Sequence, residues 1–190
     1  MNKLMIIFCL LCLNLCLAAN PQVRMQTTFG TIDIELEEIK APLTVANFLK
    51  YVDAKFYDKT IFHRVIKGFM IQGGGLNTNR VDKSNKRAPI KNEADNGLLN
   101  LTGTIAMART SDPHSASSQF FINVEDNTSL DFTGKNSSGW GYAVFGKVIK
   151  GMNVVNRIKM VRTGKMDGHM NIPMDTVEVK SVRRILKKTN

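Results

Sequence analysis

Phe62-His63-Arg64-Val65-Ile66-Lys67-Gly68-Phe69-Met70-Ile71-Gln72-Gly73-Gly74-Gly75 sets an arginine and a glutamine among large apolar side chains and follows them with three glycines. Ile61 to Val65 and Phe69 to Gln72 read as two short strands, the second ended by the glycine run. If Arg64, Phe69, Met70 and Gln72 share one surface, they make an apolar patch with a fixed cation and an amide at its rim. The guest that suits such a patch is apolar and carries a polar group within reach of a planar guanidinium. The glycines lack the spacing and the following lysine of a phosphate loop, so a backbone turn or close packing explains them better.

Outward from this stretch the chain keeps the same rhythm. Val23 to Thr28 and Thr31 to Leu36 read as strands joined by a two-residue turn at Phe29-Gly30. Pro42 opens a helix whose apolar stripe is Val45, Ala46, Phe48, Leu49 and Val52. Leu76 to Leu99 is polar and reads as a long loop, the kind that rims functional sites. Thr104 to Ala108, Ser118 to Val124, Tyr142 to Ile149 and Val177 to Ile185 read as further strands, and Met152, Val155 and Ile158 mark a second short helix. Ser129 to Gly141 is turn-rich and carries the only tryptophan, Trp140. Many short strands with two helices and no βαβ rhythm predict an antiparallel barrel or sandwich with helical caps.

Met1 to Ala19 is read apart from the rest. Lys3 precedes an apolar run from Leu4 to Leu17, and small residues follow at Ala18 and Ala19, the pattern of a secretory signal peptide cleaved after one of those alanines. The run is too short to span a bilayer, so residues 20–190 are expected to leave the membrane as one domain. A lipid anchor would need a small residue directly before its cysteine, and Leu15 precedes Cys16. All three cysteines, Cys9, Cys12 and Cys16, lie in this segment, so the mature domain offers no thiol nucleophile and no Cys-bound metal. The formal net charge of +10 is spread along the chain, with clusters at 80–91 and 183–188 that neither interleave with aromatics nor match a nucleic-acid motif. A soluble basic surface is the simpler reading.

Phe62-His63-Arg64, Gly68-Phe69-Met70-Ile71-Gln72-Gly73-Gly74, Ser118-Gln119-Phe120-Phe121-Ile122 and Val144-Phe145-Gly146-Lys147-Val148 resemble the cyclophilins, peptidyl-prolyl cis-trans isomerases. The resemblance runs from about Val23 to Leu186. Gly75, Ser115-Ala116 and Trp140-Gly141-Tyr142, together with the signal peptide, look most like the periplasmic bacterial members. It implies a mainly β fold, a closed eight-stranded antiparallel β-barrel capped by two α-helices. Arg64 matches the family's catalytic arginine, and Phe69, Met70, Phe121 and Leu130 match the pocket for the proline ring. Gln72 and Gln119 match its polar rim, Ala108 and Arg109 the segment that hydrogen-bonds the substrate backbone, and Tyr142 the place where many members have histidine. Ser129 departs from the pattern, standing where the family has tryptophan or another aromatic, which implies weak binding of cyclosporin.

The resemblance further implies an enzyme without cofactor or metal, exported to the periplasm, acting on proline-containing unfolded or extended polypeptides, with no nucleic-acid partner and nothing that demands more than a monomer. A Ser/His/Asp hydrolase around Ser118 or Ser129 lacks a nucleophile elbow, and His63 reads as a satisfied structural histidine in its strand. Two function classes stay open at this level. One is an isomerase of X-Pro bonds; the other is a module that holds proline-containing segments in the same groove without turnover.

Overall fold

The computed structural model describes residues 20–166 and 168–186. The predicted signal peptide and its cysteines lie outside them. Eight strands close into an antiparallel barrel: β1 (Gln22–Thr27), β2 (Gly30–Leu36), β3 (Thr60–Ile66), β4 (Met70–Asn77), β5 (Thr104–Met107), β6 (Phe120–Asn123), β7 (Val144–Lys150) and, closing it, the strand Glu178–Arg184. Two further strands, β8 (Thr163–Met166) and β9 (His169–Pro173), form a separate hairpin, so the closing strand is β10. Around the barrel the order is β1-β10-β3-β4-β6-β5-β7-β2, and β2 pairs back onto β1. The first and last strands of the described chain are therefore neighbours, paired from Val23↔Arg184 to Thr27↔Val179.

Alternation fills the interior. Val23 and Met25 on β1 and Ile32 and Ile34 on β2 are fully buried, and a bulge at Lys180 brings Val179 and Val182 of β10 to the same side, also fully buried. Helix α1 (Pro42–Asp53) and helix α2 (Met152–Ile158) lay Val45, Phe48, Leu49 and Val52, and Val154, Val155 and Ile158, into the same core. Phe48 anchors α1 there, with ring centroids 5.1 Å from Phe145, 5.2 Å from Tyr57 and 5.9 Å from Phe120. Aromatic contacts of this kind add to the large apolar area each ring buries.

Two local expectations differ from the structure. The turn after β1 is Thr28-Phe29, and Gly30 already pairs with Thr27. Gly30 has φ +130°, and the Thr27 hydroxyl closes the turn by donating to the Gly30 carbonyl at 2.8 Å. The glycine run does not end β4; the strand passes straight through Gly73, Gly74 and Gly75 to Asn77. A Cβ at Gly73 would stand 2.9 Å from the Ile61 carbonyl oxygen and one at Gly75 2.5 Å from the Gln119 amide nitrogen. Close approach, not a turn, is what these glycines serve. The hairpin β8–β9 has no counterpart in the sequence reading.

An irregularity in β3 bears on function. Phe62 pairs with Gly73 and Arg64 with Gln72, so two steps along β3 match one along β4 and His63 is the extra residue of a β-bulge. Strict alternation would put Phe62 and Arg64 on one face. The bulge breaks it: Phe62 and Val65 are both buried, and Arg64 turns outward toward Gln72.

Candidate active site

Arg64, Gln72, Phe121 and Ala106 are cross-strand partners in one row over β3, β4, β6 and β5. The row lies over a second apolar cluster, separate from the barrel core, built of Met70, Ala106, Phe121 and Val144 with Phe69, Ala108, Leu130 and Tyr142 packed against it. Arg64, Phe69, Met70, Gln72, Ala108, Arg109, Phe121, Leu130 and Tyr142 line a cavity of about 110 Å³. Drug-sized sites run to about 300–1,000 Å³, so this pocket is scaled to one small ring. Gln119 does not line it but joins its rim, accepting from the Gln72 amide at 2.9 Å.

The polar edge is a chain of three groups. The Arg64 Nη1 donates to Gln72 Oε1 at 3.3 Å, and Gln72 Nε2 donates to Gln119 Oε1. Among the described residues Arg64 makes no ion pair. Its remaining N–H groups are thus left for a ligand. Gly75 gives the Gln119 side chain its place, because that side chain lies where a Cβ would be.

The opposite wall is fixed from below. Tyr142 meets the Phe121 ring edge-on at 5.6 Å, and the Arg109 guanidinium lies 4.5 Å from the Tyr142 ring centre. Arg109 also donates from Nε to the Gly141 carbonyl at 2.9 Å and from Nη1 to the Thr110 carbonyl at 2.9 Å. Its cation holds the wall rather than standing free. The Tyr142 N–H donates to the Leu130 carbonyl at 2.9 Å, a contact that needs Gly141 at φ +61°, where a Cβ would sit 2.6 Å from that same oxygen. The Ala108 N–H is spent on the Gln119 carbonyl at 3.0 Å. Ser129 is exposed in the short turn Thr128–Leu130 and contributes nothing to the lining.

Sequence reasoning missed the asparagine network beneath. The Asn127 amide donates to the Phe69 carbonyl and to Asn123 Oδ1, both at 2.7 Å; Asn123 donates to Asn100 at 3.2 Å, and Asn100 to the Leu130 carbonyl at 3.1 Å. All three asparagines are buried, and together they tie Phe69 to Leu130 across the pocket. Asn100 and Asn127 head sequences of the glycosylation form, which their burial explains as structural. His63 also departs from expectation. Its Nδ1 is buried without a hydrogen-bond partner, and burial, aided by the adjacent Arg64 charge, pushes its pKa down to about 4. Among the described residues no group of three or more His, Cys, Asp or Glu side chains is placed to hold a metal ion, and no helix is long and apolar enough to cross a membrane.

Residues 22–184 match the family model described as cyclophilin type peptidyl-prolyl cis-trans isomerase. The chain belongs to the cyclophilin family and is a peptidyl-prolyl cis-trans isomerase. It is 55% identical over 161 residues to the cyclophilin "peptidyl-prolyl cis-trans isomerase cyp18" of Streptomyces antibioticus, an alignment covering 85% of this chain and 96% of that one. With peptidyl-prolyl cis-trans isomerase B of Escherichia coli K12 it shares 54% identity over 160 residues, covering 84% and 97%. The crystal structure of a cyclophilin type isomerase from Cryptosporidium parvum superposes with a TM-score of 0.72 at 27% identity, covering 88% of this chain and 99% of that one. The fold seen here is thus shared with a solved cyclophilin over nearly the whole of that chain.

Proposed function

We propose that this cyclophilin accelerates rotation about X-Pro bonds of exported polypeptides during their folding, with Arg64 as the group that stabilises the twisted transition state. The observation that supports it most is the Arg64 guanidinium, held by Gln72 and in no ion pair among the described residues, at the edge of a one-ring apolar pocket.

Rotation must break amide resonance against a barrier of about 18–20 kcal/mol, which leaves uncatalysed exchange at tens to hundreds of seconds. Millisecond turnover needs about a 10⁵-fold gain, or roughly 7 kcal/mol. No bond is made or cut. In the twisted state the prolyl nitrogen becomes pyramidal and its lone pair, delocalised in both ground states, becomes a hydrogen-bond acceptor. A donor fixed at that point favours the transition state over either ground state. Arg64 is that donor, while Phe69, Met70, Phe121 and Leu130 hold the ring and Gln72 and the Ala108–Arg109 backbone clamp the flanking peptide groups. Met1 to Ala19 directs the chain to the periplasm and is removed, and the domain works there as a monomer without cofactor. The exposed Ser129 leaves that side of the pocket without a ring, so cyclosporin binds weakly.

The deciding experiment measures the cis-to-trans rate of an Ala-Pro peptide with residues 20–190, for wild type and Arg64→Ala. Wild type is expected to accelerate exchange, with activity nearly flat between about pH 6 and 8 because a guanidinium does not titrate there. Arg64→Ala is expected to lose about 10²-fold or more. Peptide binding without acceleration in the wild type would replace this reading with a holding module, for which the missing ring at Ser129 is the supporting observation.

A further inference from the structure

A second and larger cavity, about 680 Å³, shares Arg64 with the proline pocket and Gln119 with its rim. Its other walls come from Leu76 at the end of β4, from the bulged His63, and from Met166, Met170 and Ile172 on the β8–β9 hairpin. The hairpin is fastened over this space by Arg80, which donates from Nη2 to the Pro173 carbonyl at 3.0 Å and from Nη1 to the Met166 sulfur. The charges that border the cavity are mostly spent on the protein itself. Arg80 is engaged as described, and Asp82 pairs with Lys86 at 2.5 Å. What faces the space is the apolar side chains of Leu76, Met166, Met170 and Ile172, the polar His169 and Asn171 among them, and the free N–H groups of Arg64. Met170 stands 67% exposed on that wall. Methionine side chains are flexible and polarizable, suited to apolar guests of varied shape.

We infer that this groove is a second subsite for the substrate polypeptide, taking one large apolar side chain close in sequence to the bound proline. The inference rests on the proline-pocket reading above. Because one arginine side chain borders both cavities, an extended peptide at about 3.5 Å per residue bridges them in roughly two to four residues. Met166, Met170 and Ile172 receive the side chain, and the Arg64 side chain stands at the join between the two subsites. Selection among proline-containing segments then depends on what stands near the proline, not only on the residue before it.

The test is direct binding, followed by fluorescence anisotropy, of labelled Ala-Pro peptides in which Phe, Leu, Ala or Glu occupies each position two to four residues to either side of the proline. At one position Phe or Leu is expected to bind about 5–20-fold more tightly than Ala, and Glu no better than Ala. Met170→Ser and Ile172→Ser should bring that ratio close to one while changing affinity for the all-Ala peptide less than about twofold. Thermal melts confirm that both variants fold. A ratio near one at every position, or a ratio that survives both substitutions, overturns the subsite. The exchange rate of the all-Ala peptide is read separately: its absence would sink the isomerisation mechanism, and the binding ratios would still decide the groove.

Discussion

Two amides and one guanidinium in series define the working edge of this protein, and their geometry depends on a residue that has no side chain. Gln119 occupies the space over Gly75, and from there it orients Gln72, which in turn steadies Arg64. Gly75→Ala displaces only a flexible side chain, so the barrel should still form, with a melting temperature within a few degrees of wild type. The loss falls on function: one hydrogen bond is worth about 0.5–1.5 kcal/mol, so kcat/KM is expected to drop about 2–10-fold in the peptide exchange assay. His63 gives a second expectation. Its pKa near 4 in the fold, against about 6.5 in the unfolded chain, means that the folded state prefers the neutral ring. Its contribution to stability is complete above pH 6.5 and is lost as pH falls toward 4, to a total of roughly 3 kcal/mol. Thermal melts of His63→Asn between pH 7 and 4.5 should therefore show a shallower decline than wild type. The types of the pocket residues were legible in the sequence because they sit in long motifs. The roles of Asn100, Asn123 and Asn127 were not, since a buried amide and a solvated one look alike until the carbonyls of Phe69 and Leu130 are seen against them.

Elements position these residues by small departures from regularity. The bulge at His63 is what sends Arg64 outward while Phe62 and Val65 both stay buried, which alternation alone would not give. Seven of the eight barrel strands and both helices could be placed to within a residue or two from their apolar periods. The glycine run was misread as a strand end because glycine more often punctuates a strand than packs within one. The β8–β9 hairpin escaped notice for a different reason: its residues face a groove rather than the core, so no burial pattern marks them. Gly141 carries the clearest element-scale prediction. A side chain there meets both a left-handed backbone and the Leu130 carbonyl, so Gly141→Ala is expected to cost more than about 1 kcal/mol in urea unfolding and to weaken peptide binding by loosening Tyr142.

At the scale of the whole molecule, ion pairs gird the barrel where strands and helix meet. Arg24 faces Asp33 across β1 and β2 at 2.8 Å, while on β10 Arg183 reaches Asp58 at 2.6 Å and Arg184 reaches Asp53 at 2.7 Å. The mass of the protein recovered from its host checks the proposed leader: residue 19 or 20 is expected to be its first. Closure of the barrel bears on that journey. Because β1 hydrogen-bonds to β10, the earliest strand to be made has its partner at the far end of the chain. A ribosome or a narrow membrane channel releases the chain from its N-terminus, so β1 waits with an open edge until nearly every residue has emerged. Non-local pairings of this sort also make folding slow relative to local ones. On the export proposed above, the architecture would keep the polypeptide threadable during passage, and the barrel would lock only after the last strand is through.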